Sequence, residues 1–328
     1  MNRLIIGLIV ILAQGSSVCA EDQYFTTLSN ALPRTIALGG ATTAVIGGPL
    51  SLGLNPATFR MYSLPGPARS LALLNPVGIY STVNAADNVE GAFESASLAL
   101  RMLVRFVGVS YEFFDIGLRL SDEIPTTGDQ RFFPKKDIYQ FHSNTLLLRF
   151  ELHPYVSIGL QTMGYTHGSK IDQFGYCYGV LLRPGSKVEV GVSYLDLPGK
   201  YQKVLHPLLR IGDETVNIGM AIHPTSSTNI SVDLRNITHQ SSMAFLEPHF
   251  GVEQEVIRHL TIRGGGAIFS DSNRKIISGG VALLDWNRVV GYSRRLAVPN
   301  YALQYGVALE YGLRLQKIWH TLSVCIRL

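Results

Sequence analysis

TVNIGMAIHPTSSTNISVDLR, residues 215–235, decides the fold. Drawn as an extended chain, Val216, Ile218, Met220 and Ile222 point to one side, and Thr215, Asn217, Gly219 and Ala221 to the other. His223-Pro224-Thr225-Ser226-Ser227 supplies a turn. The design then repeats, with Ile230, Val232 and Leu234 opposing Asn229, Ser231, Asp233 and Arg235. Alternation with period two marks a strand with one apolar face. Two such runs joined by a short turn read as an antiparallel pair.

The same rhythm extends outward in both directions. Leu303, Tyr305, Val307, Leu309 and Tyr311 oppose Gln304, Gly306, Ala308, Glu310 and Gly312. Leu322, Val324, Ile326 and Leu328 oppose Thr321, Ser323, Cys325 and Arg327. The spacing predicts strands at 68–78, 99–110, 113–121, 141–151, 155–165, 173–183, 186–196, 214–223, 227–236, 247–255, 259–269, 275–284, 287–296, 302–313 and 317–328. Residues 87–98 are the one helical candidate in the region before residue 100. Longer connections fall at 79–98, 122–140, 197–213 and 237–246. The second carries Phe132-Phe133-Pro134-Lys135-Lys136, which suits either a solvated loop or contact with a ligand or lipopolysaccharide.

Two architectures accept many short antiparallel strands: a soluble sandwich and a transmembrane barrel. Charged residues are only 16% of the chain, against about 25% in soluble proteins. The charges fall mostly in connections or on the less apolar face, leaving the other face for lipid. A sheet in hydrocarbon must close on itself, because an open edge strands backbone groups at several kcal/mol each. Strands of about 9–11 residues cross a bilayer, and single-chain bacterial barrels use an even number. The expectation is therefore an all-β transmembrane antiparallel barrel with fourteen wall strands, one of the fifteen candidates lying elsewhere. Tyr155, Tyr165, Tyr194, Tyr292, Tyr301, Tyr311 and Trp319 sit near strand ends, where interface girdles form. Ordinary strand preference for tyrosine explains them equally.

The start of the chain reads as a secretory signal. Arg3 precedes an apolar run over residues 4–13, and Val18-Cys19-Ala20 has the shape of a cleavage site. The run is too short for a membrane helix of roughly 20 residues. A mature start at Glu21 and export to the outer membrane follow as expectations. Lipidation of Cys19 competes, but Ser16-Ser17-Val18 is a poor lipobox. Cys177 and Cys325 are then too few and too far apart for a disulfide framework. A net charge of +4 without basic blocks argues against nucleic acid as a partner.

One stretch does not alternate: GGATTAVIGGPLSLGLNPA, residues 39–57. It has no charge. A dinucleotide loop would need a strand before it, a helix after it and an acid about twenty residues on, and no such unit follows. Its small residues suit close packing against a surrounding wall, and its glycines suit bends at positive φ. Asn55-Pro56 reads as a helix start, with Asn as the cap and Pro in the first turn. These features describe a plug.

Here the sequence resembles a family. Ala37-Leu38-Gly39-Gly40-Ala41-Thr42-Thr43-Ala44-Val45, followed by Asn55-Pro56-Ala57, is similar to the N-terminal signature of FadL-type outer-membrane proteins, and closest to their PorV/PorQ-like branch. Members there read GMGGAFTAVADDASALYWNPAGLA. This chain departs at Ile46-Gly47-Gly48-Pro49, where an acidic pair is common, at Leu54, where an aromatic is usual, and at Thr58-Phe59. The strand rhythm of Ser157-Ile158-Gly159-Leu160, Val190-Gly191-Val192-Ser193 and Phe250-Gly251-Val252-Glu253 also fits. The resemblance implies a signal peptide at 1–20, a hatch at 21–67 inside the lumen and a barrel at 68–328. It implies hatch or gating roles for Gly39, Gly40, Ala41, Asn55, Pro56 and Ala57.

Two functions follow from that resemblance. One is passive uptake of hydrophobic, fatty-acid-like molecules through a hatch-gated lumen. The other is a PorV-like accessory platform for protein secretion or envelope assembly. The partners implied are outer-membrane lipid with either a hydrophobic ligand or secretion-machinery proteins. Nothing suggests an enzyme, a cofactor or a metal: no Gly-x-Ser-x-Gly elbow occurs, and no pair among the nine histidines has metal-ligand spacing. His142 with Ser143, and His320 with Ser323, are the nearest approaches to a Ser/His pair. Gly264-Gly265-Gly266 reads as relief of crowding in a strand or room for a plug.

Overall fold

A computed structural model describes residues 32–47, 54–60, 68–74, 77–82, 103–110, 113–123, 141–167, 170–197, 208, 214–237, 247–257, 259–269, 274–284, 301–311 and 317–327. A short helix α1 (Pro33–Ala37) and a 3₁₀ turn (Pro56–Thr58) precede the strands. The strands are β1 (Ala68–Leu74), β2 (Val77–Thr82), β3 (Leu103–Ser110), β4 (Phe114–Glu123) and β5 (Phe141–His153). Next come β6 (Val156–His167), β7 (Lys170–Gly185), β8 (Val188–Asp196), β9 (Glu214–Ile222) and β10 (Thr228–Arg235). The last are β11 (Glu247–Ile257), β12 (Leu260–Phe269), β13 (Arg274–Leu284), β14 (Tyr301–Tyr311) and β15 (Lys317–Arg327).

All fifteen belong to one antiparallel sheet in which each strand from β3 to β15 pairs with the next. The sheet closes. β15 pairs with β2 from Ile318↔Thr82 to Ser323↔Val77, and with β1 at Ile326↔Leu74 and Ala72↔Arg327. β1 also pairs with β3. β1 and β2 thus lie end to end along β15 and share one position in the wall. The sequence places Pro76 between them, a residue with no N–H to give a ladder.

The alternation read from the sequence sets the two faces. In β9 the residues Thr215, Asn217, Gly219 and Ala221 are buried inside, while Ile218 and Met220 are exposed outside. Val180, Val192, Ile230, Val232, Val252, Ile262, Val281 and Leu303 continue this exposed apolar face around the sheet. A closed antiparallel sheet with an apolar outside and a polar inside is the construction of a transmembrane β-barrel. Among the described residues no helix is long and apolar enough to cross a membrane.

Chain direction sorts the connections. Very short turns join β3 to β4, β5 to β6, β7 to β8, β9 to β10 and β11 to β12 at one end. The chain leaves the other end after β2, β4, β8 and β10, where the next strand starts ten or more residues on, and it leaves the short-turn end with a long interval only after β13, which ends at Leu284 before β14 starts at Tyr301. Both the start of β1 and the end of β15 lie at the short-turn end.

One expectation needs correction, and two fall outside the described residues. Residues 68–78 are not one strand: β1 stops at Leu74 and β2 runs on to Thr82, so the connection expected from 79 begins later. The strand expected at 287–296 lies outside the described residues. β13 pairs directly with β14 from Lys275↔Tyr311 to Leu284↔Ala302, which leaves no wall position between them. The helix expected at 87–98 also lies outside the described residues.

Candidate functional site

The N-terminal residues pack against the inner wall. Pro33 opens α1, where its missing N–H costs nothing. The helix ends in two glycines of positive φ, Gly39 at 62° and Gly40 at 82°. Their N–H groups return to Ile36 O at 3.0 Å and Thr35 O at 2.9 Å, satisfying carbonyls that a helix end leaves open. Space is as restrictive as dihedral angle. A Cβ on Gly39 would come within 2.6 Å of Gly266 O, and one on Gly40 within 2.8 Å of Arg235 Nη1. Ala41 follows, fully buried.

Asn55 holds the second half together. Its Oδ1 accepts from Ala57 N at 3.0 Å, capping the 3₁₀ turn that Pro56 begins. Its Nδ2 donates to Thr43 O at 2.9 Å and to Val180 O of β7 at 3.1 Å. One amide thus ties both arms of the segment to each other and to the wall. A short parallel bridge between Gly47 and Phe59 reinforces the link.

The wall is shaped to receive this backbone. Gly159 pairs with Gly179, Gly191 with Gly219, Gly251 with Gly265, and Gly280 with Gly306, each across neighbouring strands. A Cβ on Gly159 would overlap Pro56 and Ala57, and one on Gly265 would overlap Leu38 and Gly39. Of the triple glycine, only Gly265 makes room this way. Gly266 sits under the Phe250 ring, and a Cβ on Gly264 would meet only Ser278 O, at 3.9 Å.

Ion pairs hold two arginines of the segment. Arg34 reaches Glu253 with Nη2 at 2.9 Å and Nε at 3.0 Å, and Glu253 also pairs with Arg263. Arg60 lies 3.4 Å from Glu151, which Arg149 contacts at 2.7 Å and Arg183 at 3.5 Å. Arg149 pairs with Asp115 at 2.7 Å and donates to Ala57 O at 3.3 Å. Burial and the neighbouring Arg149 guanidinium lower the Arg60 pKa, while the Glu151 carboxylate opposes them. Between these clamps Thr43 N donates to Asp233 Oδ2 at 2.8 Å, and His249 Nδ1 lies 2.6 Å from Gly39 O.

None of these wall partners was singled out from the sequence. The available signal was charge at inward positions of otherwise small-residue strand faces. A buried charge needs a partner, and here the N-terminal segment supplies two.

Toward the long-loop end the inner face changes character. Met163, Tyr165, Cys177, Leu195 and Leu197 from β6, β7 and the end of β8 cluster with Leu54 of the segment. Cys177 is a free thiol with Sγ 3.4 Å from Leu54 O. Tyr165 therefore does not join an outer girdle, and neither does Trp319, which is buried and donates to Glu310 at 3.4 Å. Both sit on inward steps of the alternation, which strand-end position alone does not reveal. Tyr155 and Tyr311 are exposed as a girdle requires.

No catalytic or metal constellation emerges from the described residues. His320 bonds Tyr305 Oη at 2.6 Å on the outer face, whereas Ser323 faces inward, so the two cannot act together. Among the described residues no three His, Cys, Asp or Glu side chains gather as metal ligands.

No protein-family model matches the chain, and no curated protein matches it. Solved barrels resemble it in shape. The toluene transporter TbuX of Ralstonia pickettii is 12% identical, with a TM-score of 0.48 over 92% of this chain and 98% of that one. The monoaromatic hydrocarbon channel CymD is 10% identical, with a TM-score of 0.47 over 92% and 97%. A Rhodopseudomonas blastica porin variant is 8% identical, with a TM-score of 0.39 over 68% and 76%.

Proposed function

We propose that the chain is a FadL-type outer-membrane barrel that passes hydrophobic small molecules passively through a lumen gated by its N-terminal segment. In this reading residues 1–20 are a signal peptide, 21–67 a hatch and 68–328 a fourteen-strand barrel. Gly39, Gly40, Ala41, Asn55, Pro56 and Ala57 set the shape of the hatch. No chemical step is involved.

One observation carries the reading. Six buried residues, five of the wall and Leu54 of the hatch, form an apolar group inside the barrel, and a second group joins Ala44, Val45, Ile46 and Ala57 of the hatch to Leu181 and Ala221 of the wall. A purely structural platform has no need of an apolar group there. A path for a hydrophobic molecule needs one next to the part that moves.

Native mass spectrometry of detergent-purified protein, with analysis of the organic extract, tests this. An apolar small molecule retained near one per chain is the expected result. Protein that retains no such molecule and holds a protein partner instead would overturn it in favour of the accessory role in secretion or envelope assembly.

A further inference from the structure

Two residues that follow β8 lie inside the barrel, against the hatch. Leu197 and Leu208 both belong to the connection from β8 to β9, and they are 4% and 0% exposed. Leu197 joins Met163, Tyr165 and Cys177 in the apolar group that contains Leu54 of the hatch. The carbonyl of Leu208 accepts from Arg235 Nη1 at 2.6 Å. A Cβ on Gly40 would lie 2.8 Å from Arg235 Nη1, 2.9 Å from Leu208 O and 2.9 Å from His249 Nδ1. Groups from β10, β11 and the connection thus converge on one corner of the hatch. The connection meets both arms of the hatch, with Leu197 at Leu54 and Leu208 at Gly40.

β10 makes the junction. Asp233 and Arg235 occupy successive inward positions of that strand. Asp233 Oδ2 accepts from Thr43 N of the hatch at 2.8 Å, and Arg235 donates to the connection. Glu247 stands directly opposite Arg235 on β11. His249, the next inward residue of β11, has Nδ1 2.6 Å from Gly39 O. Arg235 is 1% exposed. A buried carbonyl that loses its donor bears the full desolvation of that group, and a buried guanidinium loses a charge-assisted bond. Withdrawal of Leu208 therefore disturbs the packing that surrounds Gly40, and withdrawal of Gly40 opens the packing that covers the Leu208–Arg235 bond.

Position sets what this contact does. β8 ends at Asp196 and β9 starts at Glu214, at the end of the barrel where most of the long intervals fall. In transmembrane barrels that end faces outside the cell. A two-point contact from that side ties the outer end to the hatch.

We infer that Leu197, Leu208 and Arg235 couple the outer end of the barrel to the hatch, so that the hatch loosens when Leu208 leaves Arg235, and Leu208 is freed when the hatch loosens. Such a coupling is reciprocal, each event easing the other by the same factor. This rests on the hatch reading above and adds the residues through which release is controlled from outside.

Hydrogen–deuterium exchange and thiol labelling of the purified full-length protein test it, and neither readout needs a ligand. Arg235→Lys keeps a positive charge beside Asp233 and Glu247 but is too short to keep the bond to Leu208 O. Amides within 32–47 should exchange about tenfold faster in this variant, the worth of one hydrogen bond to a charged group, while β12 to β14 stay protected. Leu208→Ala, which alters no wall residue, should act in the same direction. For the reverse direction, Leu208→Cys is labelled with a maleimide in a Cys177→Ser, Cys325→Ala background. Adding Asn55→Ala, whose lost bonds run to Ala57, Thr43 and Val180, should speed the labelling about tenfold by the same reciprocity. Unchanged protection of 32–47 in both exchange variants, or labelling indifferent to Asn55→Ala, overturns the coupling and leaves hydrophobic transport standing. Both effects in a protein that retains no apolar molecule would keep the coupling and sink the transport reading.

Discussion

Replacing Asn55 with alanine should unfasten the N-terminal segment without unfolding the barrel. The side chain is 1% exposed and makes three hydrogen bonds, to Ala57 N, Thr43 O and Val180 O, at 3.0, 2.9 and 3.1 Å. Loss of the cap costs about 1 kcal/mol. Stranding buried carbonyls adds about 1–3 kcal/mol. A total of about 3 kcal/mol raises the population of the loosened segment on the order of a hundredfold. The wall should be untouched, because its ladder does not pass through Asn55. Hydrogen–deuterium exchange read by mass spectrometry separates the two. Amides within 32–47 and 54–60 should exchange on the order of a hundredfold faster in the variant, while those of β8 to β14 stay protected. Unchanged protection in the N-terminal segment would refute the reasoning, as would loss of protection in wall and segment together.

Gly159→Val should leave the barrel assembled but expel residues 54–60, since its Cβ overlaps Pro56 and Ala57; limited proteolysis should cut near this stretch in the variant alone. Glu253→Gln should loosen the segment more than Arg34→Ala, by about 3 against about 1 kcal/mol. The first leaves Arg34 and Arg263 facing each other, whereas the second leaves Glu253 paired with Arg263; denaturant titration of segment protection ranks them. Ile218→Arg places a charge midway along the exposed face of β9 and should cost about 2–4 kcal/mol. A drop in the folded fraction on heat-modifiability gels checks it, and an unchanged fraction would argue against lipid on that face.

The barrel was legible because alternation is local. Each predicted strand between 113 and 284 overlaps an observed one, and the faces assigned to residues 215–235 are those observed. The Asn55-Pro56 helix start was legible too, since a cap and the first turn lie side by side in the chain. What escaped depends on register and distance. Gly191 meets Gly219 only in the one register that β8 and β9 adopt, and Arg34 meets Glu253 only after many strands have paired in order. Tyr165 and Trp319 were placed by nearness to strand ends, but inward or outward is decided by parity within the strand. The supposed strand at 287–296 has a strand's composition, yet the β13–β14 ladder leaves it no place.

In the proposed function the N-terminal segment closes a membrane-spanning barrel. Planar-bilayer conductance of the full-length chain, beside one carrying both Asn55→Ala and Gly159→Val, tests it most directly. Almost no ion current is expected through the unaltered protein, and stable open channels in the double variant. A large steady conductance in the unaltered protein, or identical traces from both, would contradict it.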